Sequence, residues 1–138
     1  MDREVLVARL QDFFRRQPAG LVAVYLFGSW SRSTAVEASD VDLGVLFDEA
    51  PPARLGGAQD RLASALEAEL RLPLDLVELW SAPADLVHRV LRDGILVHEG
   101  NRSARIRFEV ARRREYLDLL PILEEYRRAR AAAPAATP

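Results

Sequence analysis

The chain of 138 residues contains no cysteine, which excludes a disulfide framework and a thiolate metal site. It contains no lysine either: all 19 basic residues are arginine, so a lysine nucleophile or Schiff-base chemistry is excluded. No run of about 18 apolar residues occurs, so no membrane-spanning helix is expected. Met1-Asp2-Arg3-Glu4 mixes acid and base and does not read as a signal peptide, so a cytoplasmic location is expected. A net charge of −2 argues against a general nucleic-acid binder. Histidine is scarce: His88 and His98 stand apart, with no neighbouring ligand motif, and read as ordinary surface or core residues.

What is present is an apolar fraction of 49% with 29% charged residues, the balance of a soluble globular domain. The length fits one domain, expected over residues 1–130, followed by a disordered tail over 131–138. Val5, Leu6, Leu10, Phe13 and Phe14 recur at helical spacing over 2–16, and Gln17-Pro18-Ala19-Gly20 ends that helix. Strands are expected over 21–27, 40–47, 73–79 and 95–98. Helices are expected over 53–71, with Leu62, Leu66 and Leu70 on one stripe, and over 83–92, with Ser81 as N-cap. A long arginine-rich helix follows over 101–130, kinked or split near Pro121. Helices alternating with strands predict an α/β fold, a mixed β-sheet flanked by helices with a long C-terminal helical region.

The most informative stretch joins the first two strands. The apolar run Leu21–Phe27 ends in Gly28-Ser29, and Asp40 and Asp42 head the next apolar run. Side chains alternate along a strand, so these two carboxylates project from one face. Like charges this close repel unless a cation lies between them. Magnesium suits the pair, because it takes one or two carboxylates and completes its shell with substrate phosphates. Gly28 allows a tight turn and a close backbone approach to a ligand. A short helix starting near Trp30 would direct its N–H groups at phosphate, with Ser29 and Arg32 adding a hydroxyl and a planar cation.

Gly-Ser-x10-Asp-x-Asp resembles the signature of the DNA polymerase β-type nucleotidyltransferase superfamily. Within it, the chain resembles the minimal nucleotidyltransferase (MNT) domains, antitoxin partners of HEPN-domain RNase toxins. The resemblance covers nearly the whole chain, with one departure: Ser33 stands where many members have glycine. It implies a third carboxylate on a later strand, which Asp75 in Leu72–Leu79 supplies. Asp75 sits in a segment that otherwise reads as buried strand, where an unpaired carboxylate is costly. Glu78 falls on the opposite face and is not expected to be a ligand. The resemblance further implies nucleotidyl transfer from ATP, with Asp40, Asp42 and Asp75 holding two Mg2+ ions and Gly28, Ser29 and Arg32 binding the nucleotide. The implied acceptor is a tyrosine of the HEPN toxin, silenced by the added AMP.

Two rival readings share this start. A small-molecule nucleotidyltransferase of the aminoglycoside-modifying kind usually needs a further acceptor-binding domain, for which 138 residues leave little room. An antitoxin acting purely by contact would need no active site, which the three aspartates speak against. In the C-terminal region, interleaved arginines and carboxylates are read as an ion-paired, solvated helix face rather than an RNA-binding surface. Trp30 could stack on a base or pack in the core; Trp80 is expected in the core or at an interface.

Overall fold

The computed structural model describes residues 1–17, 20–32, 40–50 and 57–133. In chain order the elements are α1 (Arg3–Arg15), β1 (Leu21–Phe27), β2 (Val41–Phe47), α2 (Ala58–Leu70), β3 (Leu74–Glu78), α3 (Ala84–Asp93), β4 (Ile95–Glu99) and α4 (Arg102–Ala132). The strands form one mixed sheet in the order β3-β2-β1-β4. β1 is antiparallel to both β2 and β4, and β2 is parallel to β3, with α2 as the crossover.

Alternation along the strands builds two apolar layers. Val41, Leu43 and Val45 of β2, with Val24 and Leu26 of β1, face Leu6, Leu10 and Phe14 of α1 and Leu66 of α2. The other face carries Ala23, Tyr25 and Leu46 against Val87 and Val90 of α3 and Phe108 of α4. Gly44 lies on this second face. A Cβ there would come within 3.1 Å of Leu79 and 3.2 Å of Val90, so its lack of a side chain lets α3 pack closely on the sheet.

Two helix starts follow from their sequence. Asp2 accepts from the Val5 amide at 2.9 Å, and Asn101 accepts from the Ala104 amide at 3.0 Å. The expected Ser81 cap does not form. Pro83 occupies the N-cap position of α3 without a side-chain bond, and Ser81 turns back to donate to Glu78. Glu78 is buried and also accepts from the amides of Trp80 and Ser81, so this carboxylate closes the turn after β3.

The expected break at Pro121 is also absent: α4 runs as one helix of 31 residues through it. Proline removes the bond to the carbonyl four residues earlier, on Leu117, but both positions are exposed and water can satisfy that group. The helix extends to Ala132; the tail expected over 131–138 otherwise lies, for residues 134–138, outside the described residues. Among the described residues no helix is long and apolar enough to cross a membrane.

Candidate active site

The site lies where β1 ends and β2 begins. Gly28 follows β1 with φ +72°, a left-handed conformation that side chains disfavour. The chain then turns back on itself. The Arg32 amide donates to the Gly28 carbonyl at 3.3 Å, and Ser31 Oγ donates to the same oxygen at 2.9 Å. Arg3 fixes the turn from outside by donating to the Ser31 carbonyl at 3.0 Å. Residues 28–32 form this turn; the continuation in which a short helix was expected, including Ser33, lies outside the described residues.

Asp42 stands beside the turn. It pairs with Phe27 across the antiparallel ladder and with Asp75 across the parallel one. Residues in register on neighbouring strands point to the same face, so Asp42 and Asp75 share the face covered by α3 and α4. Asp40 precedes β2 by one residue and is exposed. A Cβ at Gly28 would overlap Asp42 Oδ2 and lie 3.0 Å from its Cγ. The glycine therefore serves the turn and also makes room for the carboxylate.

The electrostatics tie these groups together. Half-burial pushes the Asp42 carboxyl above the ordinary aspartate range, and the negative charges of Asp75 and Asp40 push it further. The positive charge of Arg32, exposed on the turn, opposes the rise. Asp75 differs from expectation. β3 is an edge strand of the sheet, and Asp75 is exposed rather than buried, so solvent meets its charge and no ion pair does among the described residues. Ser29 is half-buried in the turn. Trp30 is packed in the core beneath it, with 5% of its surface accessible, which removes it as an open platform for a base.

One neighbour was not legible in the sequence. Leu26 pairs with Ile95, so the antiparallel continuation sets Gly94 and Asp93 alongside Phe27 and Gly28. Arg92 grips Asp93 with two bonds of 2.9 and 2.8 Å and is the main cause of its lowered pKa; Arg32 lowers it further. The turn is thus bordered by the aspartates of β2 and β3 on one side and by the end of α3 on the other. A signal was present in Asp93-Gly94 ahead of a short strand, but which strand would pair there was not.

Among the described residues no group of three or more acidic or histidine side chains is placed to hold a metal ion together. Magnesium does not require one, since it binds through one or two carboxylates and keeps water and substrate oxygens as its other ligands. A half-buried carboxylate strained by two like charges fits that donor set. A separate cavity of about 450 Å³, bordered by Leu21, Phe47 and Leu62, lies at the opposite end of β1 and β2 and does not touch Asp40, Asp42 or Asp75.

Comparison with known proteins agrees with this geometry. The family described as Polymerase beta, Nucleotidyltransferase matches residues 8–103. A Methanocaldococcus jannaschii protein that carries the name protein adenylyltransferase is 34% identical over 90 residues, covering 62% of this chain and 61% of its own length. The chain therefore corresponds to about three fifths of that relative. Two solved structures share the fold. One is a toxin–antitoxin with AMP-PNP (TM-score 0.65, 24% identity, 87% of this chain and 97% of that one). The other is an MNT antitoxin in complex with a tri-AMPylated HEPN toxin from Shewanella oneidensis (TM-score 0.63, 23% identity, 90% and 98%). The turn, the aspartate row and the family match converge: this chain belongs to the polymerase β nucleotidyltransferase family.

Proposed function

We propose that the protein is a cytoplasmic antitoxin that transfers AMP from ATP to a tyrosine of a HEPN-domain RNase toxin. The observation that carries this reading is the register that lines Asp42 with Asp75 beside a glycine turn shaped around the Asp42 carboxylate. Asp40 and Asp42 would hold Mg2+ with the triphosphate, and Asp75 would complete a second ion site. Bound there, Mg2+ supplies neutralisation of the phosphate charge and polarisation at phosphorus. The Gly28 backbone and Ser29 grip the β- and γ-phosphates, and Arg32 adds its cation at the mouth of the site. The tyrosine oxygen attacks the α-phosphorus, the bond to the bridging oxygen breaks, and pyrophosphate leaves. Asp75, exposed at the sheet edge, would take the tyrosine proton through a water.

The test is the intact mass of the toxin expressed with this protein and with the Asp40→Asn/Asp42→Asn double variant. A gain of one AMP or a small multiple, absent with the variant, supports the reading. Unmodified toxin in both samples overturns it. Inhibition by contact is the second reading, favoured by the exposed apolar residues of α4; an Asp42→Asn protein that still protects cells fully would select it.

A further inference from the structure

We propose that the outward face of α4 between Ile106 and Leu117 is a docking surface for the toxin, and that the toxin meets it with apolar residues bordered by carboxylates. The partner's identity rests on the function proposed above; the chemistry of the surface does not.

Of the 31 residues of α4, only Phe108 is buried. Positions four and eleven apart on a helix return to within about 40° of one direction. Ile106, Val110 and Leu117 follow that spacing, and are 42%, 41% and 62% exposed. They form a stripe roughly 16 Å long at 1.5 Å per residue. Scattered apolar residues on a surface are ordinary, but aligned ones on a helix face mark contact sites.

Charge says what kind of surface fits. Between Ile106 and Leu117 the helix carries four arginines and two glutamates, a net charge of +2 in a chain of net charge −2. Glu109 is turned inward, accepting from Tyr25 and Arg105, and Glu115 is held by Arg112. Arg107 and Arg114 border the stripe and make no ion pair among the described residues. An apolar stripe edged by free guanidinium groups complements an apolar ridge edged by carboxylates. RNA would use the arginines but not the aliphatic side chains, and the stripe offers no aromatic ring on which bases could stack.

The experiment measures binding of purified toxin to the full-length protein without ATP, by calorimetry over a salt series. The variants are Val110→Asp/Leu117→Asp and Arg107→Glu/Arg114→Glu. All four positions are exposed, so circular dichroism and ATP binding should match the wild type. Each pair is expected to weaken toxin binding by about tenfold or more, and the arginine pair should also flatten the salt dependence. Wild-type affinity in both variants overturns the docking surface while leaving AMP transfer intact. A wild-type dimer in light scattering that either variant dissolves, with toxin binding unchanged, assigns the face to a second copy and overturns the proposal. Loss of RNA binding with toxin binding unchanged does the same in favour of RNA. Wild-type protein that neither binds nor modifies toxin overturns the proposed function itself, and the toxin as occupant with it.

Discussion

Gly28 and Asp42 are matched to one another: the carboxylate of Asp42 fills the space that a side chain at Gly28 would take. Phe27 and Asp42 are paired across the ladder, so the residue after Phe27 is forced to pass close to that carboxylate. Gly28→Ala meets two obstacles, a φ of +72° and an overlap with Asp42 Oδ2. The left-handed conformation alone costs about 1–2 kcal/mol for a residue with a Cβ. The carboxylate must also swing away from the site it shares with Asp75. The expected outcome is a folded protein with a modestly lower melting temperature and AMP transfer reduced about 100-fold or more, as when reacting groups are displaced by about 1 Å. A variant with near wild-type transfer would show that the geometry of Asp42 is not critical.

Asp42 is also held against its own ionisation, which links function to stability. Its folded pKa is raised, first by burial and then by Asp75 and Asp40. A carboxyl raised in this way favours the fold while protonated, and that contribution is lost as pH rises from the ordinary aspartate value of 3.8 through the folded value. The proposed metal binding would need the ionised form, so an ion held there would offset part of the cost that ionisation brings to the fold. Asp42→Asn should therefore be inactive yet more stable than wild type at neutral pH in the absence of Mg2+. Added Mg2+ should stabilise the wild type and not the variant. Chemical denaturation at pH 7, with and without the ion, reads both effects; a destabilised Asn variant would contradict the electrostatic account.

Glu78 carries a different burden, since its carboxylate closes the turn between β3 and α3. It accepts from Trp80 N at 2.7 Å, Ser81 N at 3.0 Å and Ser81 Oγ at 2.7 Å. Glu78→Ala removes three bonds to a charged acceptor, but their donors sit on the exposed residues Trp80 and Ser81 where water can meet them, so it should cost about 1.5–3 kcal/mol. Ser81→Ala removes one donor and should cost about 1 kcal/mol. Urea unfolding of the two variants separates them; equal costs would mean that the hydroxyl, rather than the two amides, is the main partner.

Local pattern and spacing were enough to read most of this architecture. The two strands flanking Gly28-Ser29, the place of Asp42 at the head of β2, and the leucine stripe of α2 all depend on neighbours in sequence. Two of the misses, at Asp75 and Asp93, depend on partners distant in sequence; those at Ser81 and Pro121 turn on competition and exposure within a few residues. Asp75 reads as buried because Leu74, Leu76 and Val77 surround it; its exposure follows from β3 taking the sheet edge, which strand order alone decides. Asp93 borders the turn only because β4 pairs with β1. Ser81 has the composition of an N-cap, yet Glu78 three residues earlier offers a stronger, charged acceptor. Pro121 reads as a break because the pattern does not reveal that the freed carbonyl faces water.

His98 supplies a pH dependence independent of the active site. It lies half-buried on β4, 6.0 Å from the ring of Phe14, and burial lowers its pKa from 6.5. A histidine kept neutral by burial contributes stability above its unfolded pKa, and that contribution is lost as pH falls through the lowered folded value, because the unfolded chain takes up the proton first. The fold should therefore weaken as pH drops below 6.5, on top of any general acid effect. His98→Gln removes the titrating group at similar size, so its stability profile should be flatter over the same interval. Melting temperatures of both proteins across pH 5 to 7.5, in one buffer series of constant ionic strength, make the comparison. Parallel profiles would place the acid sensitivity elsewhere, whereas a gap that closes toward low pH would assign it to the packing of this imidazole against Phe14.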